Sequence, residues 1–219
     1  MDCKAMKFLI SGGLGFVGGR IAKHLSRKEH DVIVATRSEQ KIRTALYQRN
    51  IQIDWLNQKK LEYLCEGVDV VIHCAGLNAK ECEADRDLAF EVNAKNTQKL
   101  LRAANKANCK KFILISTIHV YSSTLSGAFS ETSPLLNKHP YGWSKGLGEK
   151  LCQETDRTQV LILRLSNAFG RPASRDTECW HLFVNDLCRQ AGQISQAGID
   201  FSFLGTTRLY ILTSARKGC

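Results

Sequence analysis

The chain has 219 residues, with 31 Lys and Arg against 21 Asp and Glu, giving a formal net charge of +10. Hydrophobic residues make up 43% and no low-complexity tract occurs, which excludes a disordered, collagen-like or coiled-coil chain. No apolar run approaches the ~18–20 residues of a membrane span, and the N-terminus lacks signal-peptide architecture, so no membrane association and a cytoplasmic location are expected.

In chain order, short apolar runs alternate with amphipathic stretches. Residues 7–11 read as a strand, 18–28 as a helix, 31–36 as a strand, 39–48 as a helix and 51–54 as a short strand. A helix over 59–65 ends at Gly67, and 68–74 is a continuous apolar strand of the kind buried on both faces. A long helix is predicted over 85–108, a strand over 111–116, a helix over 141–154, a strand over 159–165, a helix over 178–191 and a last strand over 200–204. Strands alternating with helices imply parallel βαβ units. The expected class is α/β, a Rossmann-type doubly wound parallel sheet.

The charge points to an anionic partner. Lys95, Lys99, Arg102 and Lys106 share one helix face, opposite Leu100, Leu101, Ala104 and Ala107; this reads as a solvated stripe, and no nucleic-acid-binding pattern accompanies it. The nine cysteines, at 3, 65, 74, 82, 109, 152, 179, 188 and 219, have no CxxC spacing and no His cluster, so no metal site is expected and the thiols read as reduced.

Gly12, Gly15 and Gly18 follow the first strand and open the first helix with GxxGxxG spacing. A tight turn, close backbone approach to a pyrophosphate and close helix–strand packing all exclude a Cβ there. The N–H groups at the helix start, around Phe16 and Val17, add positive potential for phosphates, so a nicotinamide dinucleotide is the expected cofactor. The second strand ends in Thr36 and Arg37, twenty-four residues after Gly12, without an acid. Arg37 can pair with a 2′-phosphate, which favours NADP(H) within NAD(P). Asp54 could accept from the adenine amine or cap the following turn.

Tyr141 and Lys145 form YxxxK, and four residues apart on a helix they share a face. A nearby cation should lower the phenol pKa from about 10, fitting Tyr141 for proton transfer to a carbonyl or alcohol oxygen. A hydroxyl at the end of the fifth strand, Ser116 or Thr117, could hold the same oxygen.

Several stretches now carry a family resemblance. Residues 11–18, Ser-Gly-Gly-Leu-Gly-Phe-Val-Gly, resemble TGGxGFxG, and residues 69–76 resemble DxVxHxAA. Residues 92–97, Val-Asn-Ala-Lys-Asn-Thr, resemble VNxxGT; residues 116–121 resemble SSxxVYG; residues 164–172 resemble RxxNvYGP. The chain thus resembles an extended short-chain dehydrogenase/reductase of the nucleotide-sugar epimerase/dehydratase type, over about residues 7–205. The resemblance implies Thr117, Tyr141 and Lys145 as the catalytic group. It implies Cys74, Ala75, Gly76 and Asn93 along the cofactor, with Asn93 structural rather than catalytic. It implies a nucleotide-sugar substrate whose diphosphate meets Asn167, with His119 a loop residue near the pocket. The helices over 85–108 and 141–154 pair in family homodimers.

Two departures matter. The family's 4,6-dehydratases carry Asp-Glu after the catalytic Thr, where this chain has Ile118 and His119. An epimerase or 4-keto reductase is therefore expected. Family members also read GxxxRDFIxVxD where this chain has Arg208-Leu209-Tyr210-Ile211-Leu212-Thr213. A one-register shift in the codons turns Leu-Tyr-Ile-Leu into Asp-Phe-Ile-Ser, so residues 209–219 are expected to be an out-of-frame tail. On that reading residues 1–170 form the dinucleotide-binding domain and 171–219 a truncated substrate lobe. A nucleotide-binding protein impaired in catalysis and a reductase of a non-sugar carbonyl remain the alternatives.

Overall fold

The computed structural model describes residues 5–37, 49–122, 127–154, 157–194 and 211–215. Its strands are β1 (Lys7–Ser11), β2 (Asp31–Thr36), β3 (Arg49–Gln52), β4 (Val70–His73), β5 (Lys111–Thr117), β6 (Gln159–Leu165) and β7 (Ile211–Ala215). They form one sheet in the order β3-β2-β1-β4-β5-β6-β7. The first six are parallel, and β7 runs antiparallel to β6 with Leu165 opposite Ile211. The predicted helix over 39–48 and strand over 200–204 lie outside the described residues.

The side-chain period of two splits each strand between two cores. Leu9, Ile33, Val71, Phe112 and Leu114 face one layer, against Leu61 and Cys65 of α2 (Gln58–Cys65) and Leu100, Leu101 and Ala104 of α5 (Asn96–Lys106). Phe8, Ile10, Val32, Val34, Val70 and Ile72 face the other, against Ala22 of α1 (Phe16–Arg27). Both faces being covered explains why β1 and β4 are apolar without alternation.

The predicted helix over 85–108 runs from Arg86 to Lys106 as α4 (Arg86–Phe90), a wide π turn (Glu91–Lys95) and α5, and a short helix that was not predicted, α3 (Ala79–Ala84), precedes it. Asn78 caps α3 in a reciprocal box with Glu81. Asp85 is extended at φ −147, and its carboxylate accepts from Leu88 N–H at 2.8 Å, starting α4. Each cap satisfies backbone donors that a continuous helix would have used internally. Strand β3 lies two residues earlier than predicted, because the chain is already turning at Asp54, whose carboxylate accepts from Leu56 N–H. The helix predicted over 178–191 is α7 (Phe183–Ile194); a turn with Leu182 N–H donating to Cys179 O delays its start. The basic stripe is tied to its own surroundings: Lys106 pairs with Glu62 at 2.7 Å, Lys99 donates to Trp55 O and Lys95 lies over Phe90.

Candidate cofactor groove and active site

The turn between β1 and α1 is built on glycine. Gly12 has φ +68, and a Cβ there would lie 2.6 Å from Ala75 N and 2.8 Å from Ala75 Cα. A Cβ on Gly18 would strike Gly12 O. These contacts let the ends of β1 and β4 touch while α1 starts directly over them. The result is a groove of about 190 Å³ at the carboxyl ends of the strands, where open α/β sheets bind ligands.

Of the residues predicted for this groove, Gly12, Gly15, Thr36, Arg37, Cys74, Ala75 and Gly76 line it. Phe16 and Val17 open α1, so their backbone donors lie at the helix start. A cradle that any Cβ would fill, beside a helix N-terminus, fits a pyrophosphate. Asp54 does not line the groove. Its carboxylate accepts from Leu56 N–H at 3.1 Å and pairs with Lys60 at 3.0 Å, and the Lys60 hydrogen bond holds its pKa below the usual range. Arg37 is exposed, with its guanidinium 3.8 Å from the Glu81 carboxylate. Ile53, Trp55, Val92 and Asn96 also line the groove, and none was a candidate from the sequence. Asn96 stands where the VNxxGT pattern has glycine, the one signal that could have singled it out.

Tyr141 and Lys145 lie on α6 (Pro140–Leu151), which His139 caps by accepting from Tyr141 N–H. Gly142 lets this helix press on His119 O, in the turn Ile118–Val120 directly after Thr117. Asn137 Nδ2 donates to the same carbonyl at 2.5 Å. The backbone of His119 thus docks α6 beside the end of β5. Lys145 is buried and its ammonium donates to Ile115 O at 2.7 Å, while a Cβ on Gly76 would lie 4.0 Å from it. The lysine therefore stands at the β4 end of the groove.

The Tyr141 phenol is shifted opposite to expectation. Burial pushes its pKa up, and the neighbouring Thr117 hydroxyl only partly offsets this. Lys145 directs its charge at the Ile115 carbonyl, and burial lowers its own pKa. Cys74 is inert beside them, its thiol pushed up to about 12 by burial. Asn167 is exposed just beyond β6.

Beneath these residues lies a polar scaffold that the sequence reading largely missed. Asn93, in the π turn, accepts from Leu77 N–H at 2.8 Å and donates to Ser144 Oγ at 3.0 Å, so its amide is spent on holding the β4 loop to α6. Thr97 donates to Asn93 O, His73 Nε2 bonds Thr97 Oγ1 at 3.0 Å, and Ser11 Oγ bonds His73 Nδ1 at 2.5 Å. Since Thr97 is the donor to Asn93, the imidazole must donate from Nε2 and accept at Nδ1. Glu149 accepts from Ser116 and from Arg164, while Arg164 also donates to the Tyr121 hydroxyl at 2.7 Å.

The pattern of the NAD dependent epimerase/dehydratase family matches residues 8–203. Low-salt glycan biosynthesis protein Agl12 of Haloferax volcanii is 29% identical over 182 residues, which cover 75% of this chain and 57% of that protein. The dTDP-D-glucose 4,6-dehydratase of Bos taurus is 29% identical over 185 residues, covering 77% of this chain and 52% of that enzyme. The chain thus spans about half the length of these relatives. Among solved structures, UDP-glucuronic acid 4-epimerase from Bacillus cereus in complex with NAD superposes with a TM-score of 0.68 at 29% identity, covering 86% of this chain and 64% of that one. With the glycine turn, the sheet order and this match over most of its length in hand, the chain belongs to the NAD dependent epimerase/dehydratase family.

Proposed function

We propose that the chain is the cofactor-binding and proton-transferring part of an NAD(P)-dependent enzyme that epimerises a nucleotide sugar or reduces its 4-keto form. The observation that carries the reading is the docking of α6, bearing Tyr141 and Lys145, through His119 O beside the end of β5, with Lys145 bonded to Ile115 O, next to a groove whose glycine turn fits a pyrophosphate. A bound nicotinamide supplies the hydride acceptor and donor. Tyr141, a protonated phenol whose pKa burial raises further, is set to donate its proton to a carbonyl oxygen or, after deprotonation, to accept one from an alcohol. Thr117 holds the same oxygen. Lys145 stabilises the phenolate once its proton has left. Ile118 and His119 stand where dehydratases carry Asp-Glu, which favours epimerase or reductase chemistry over water loss. Arg37, beside Thr36 and without an acid, favours NADP(H).

The test is turnover with UDP-, GDP- and dTDP-sugars by wild type and by Tyr141→Phe, alongside titration of NADH and NADPH fluorescence. The variant should lose about 10²–10⁴-fold in kcat while binding cofactor as wild type does. Turnover surviving in Tyr141→Phe removes the tyrosine from the chemistry. Cofactor binding with no turnover by wild type on any sugar supports a nucleotide-binding protein impaired in catalysis.

A further inference from the structure

Seven cysteines lie among the described residues, all as free thiols. Two of them meet. Cys65 ends α2, and Cys109 leads from α5 into β5, 44 residues further along the chain. Both are buried in the same core layer, and the Cys109 thiol donates to Cys65 O at 3.6 Å. Backbone bonds hold the two segments side by side. Val68 N–H donates to Cys65 O, while Lys110 and Lys111 N–H both donate to Asp69 O, at 2.9 and 3.2 Å. The thiols act on each other. The Cys65 thiol holds Cys109 below the usual thiol range, and the Cys109 thiol, with burial adding to it, pushes Cys65 up. Other cysteines have other neighbours: Cys82 bonds Asn93 and Leu77, and Cys74 lines the groove.

We propose that Cys65 and Cys109 form a dithiol site that closes to a disulfide by exchange with a small-molecule disulfide, tying the end of α2 to the start of β5. The Cys109 thiolate attacks first. Its sulfur bonds one sulfur of the reagent, and the other leaves as a thiolate. The Cys65 thiolate then attacks the Cys109 sulfur, closing the internal bond and expelling the second reagent thiolate. The two protein thiol protons end on the two departing thiolates; the protein loses two electrons and the reagent gains them. Attack falls to Cys109 because its thiolate is the more populated of the two. Access comes from α2, since Cys65 is its last residue and helix ends open at the smallest cost. The site lies before the first residues of β4 and β5, at the opposite end of the strands from the groove, so the bond leaves the groove unaltered.

The experiment incubates the full native chain with oxidised glutathione, blocks the remaining thiols, and maps the digest by mass spectrometry. A peptide linking Cys65 to Cys109 should appear, and dithiothreitol should remove it. The linked chain should melt about 5–10 °C above the reduced one, because the bond closes a long loop in the unfolded state. Cys65→Ala should stop after the first step, with glutathione held on Cys109, and Cys109→Ala should leave Cys65 unmodified. Absence of the linked peptide from wild type overturns the proposal, and this result needs no variant. So does a link that forms only after urea has unfolded the chain.

Discussion

Glu149 grips Arg164 through both carboxylate oxygens: Nε lies 3.0 Å and Nη2 2.7 Å from Oε2, with Oε1 3.2 Å from Nε. The side chains are 1% and 9% exposed. Ser116 donates to the same carboxylate, so the pair lies one residue from Thr117 and supports the end of β5. Removing one partner leaves a buried charge uncompensated. Glu149→Ala should therefore lose about 3–5 kcal/mol in urea denaturation. The double variant Glu149→Met/Arg164→Met should recover part of that loss. A change below about 1 kcal/mol in Glu149→Ala means the pair is not structural.

His73 gives stability a specific pH dependence. Burial, with the Lys145 charge adding to it, pushes the imidazole pKa down to about 3, against about 6.5 in an unfolded chain. Above pH 6.5 both states are neutral here and the residue contributes no slope. Between 6.5 and 3 the unfolded state binds the proton and the native state does not, so stability falls as pH falls. The loss from pH 6.5 to 5.5 should be about 1 kcal/mol from this residue. His73→Asn should be less stable at pH 7.5 but flatter over that interval. An identical slope in both proteins assigns the pH dependence to other groups.

Two glycines separate steric clash from backbone strain. Gly12 has φ +68 with Ala75 backbone in the way of a Cβ, whereas Gly127 has φ +86 with nothing within 4 Å. Gly127→Ala should cost about 1–2 kcal/mol in stability and leave NADH binding unchanged. Gly12→Ala should in addition lower NADH affinity by at least about tenfold, because the turn and the end of β4 must move apart. Equal NADH binding by the two variants would falsify the cradle.

Under the proposed function Arg37 sets the cofactor choice. Its guanidinium is exposed and shares its charge with Glu81 at 3.8 Å. Arg37→Ser should lower the ratio of NADPH to NADH affinity by about tenfold, and Glu81→Gln should raise it. Both effects should shrink at high salt, since the pair is open to solvent. A ratio unaffected by Arg37→Ser places the 2′-position elsewhere.

The sheet was legible because burial on both faces leaves runs such as Phe8-Leu9-Ile10 and Val70-Val71-Ile72 with no polar interruption. The glycine turn was legible because only glycine tolerates that approach. The scaffold under the site was not. Glu149 and His73 are almost fully buried; the strand holding His73 was read as buried, but the partners Ser11 and Arg164 lie far along the chain and left no local signal of either bond. The short helix α3 before Asp85 was hidden for a different reason: its six residues, Ala-Lys-Glu-Cys-Glu-Ala, are too few to show a helical period. The Tyr141 pKa went the other way because the reading paired it with Lys145 alone, while burial and the Ile115 carbonyl were invisible in sequence.

The wide turn at Glu91–Lys95 has a consequence for insertions and deletions. Such a turn holds one residue more than regular helix needs, and one residue is worth about 100° of rotation. It lets Asn93 face Leu77 and Ser144 while Leu100 and Leu101, on the same continuous rod, face the core. A chain shortened by one residue here would have to surrender either the clamp or the packing of α5. The segment should therefore tolerate many exchanges of side chain and almost no change of length.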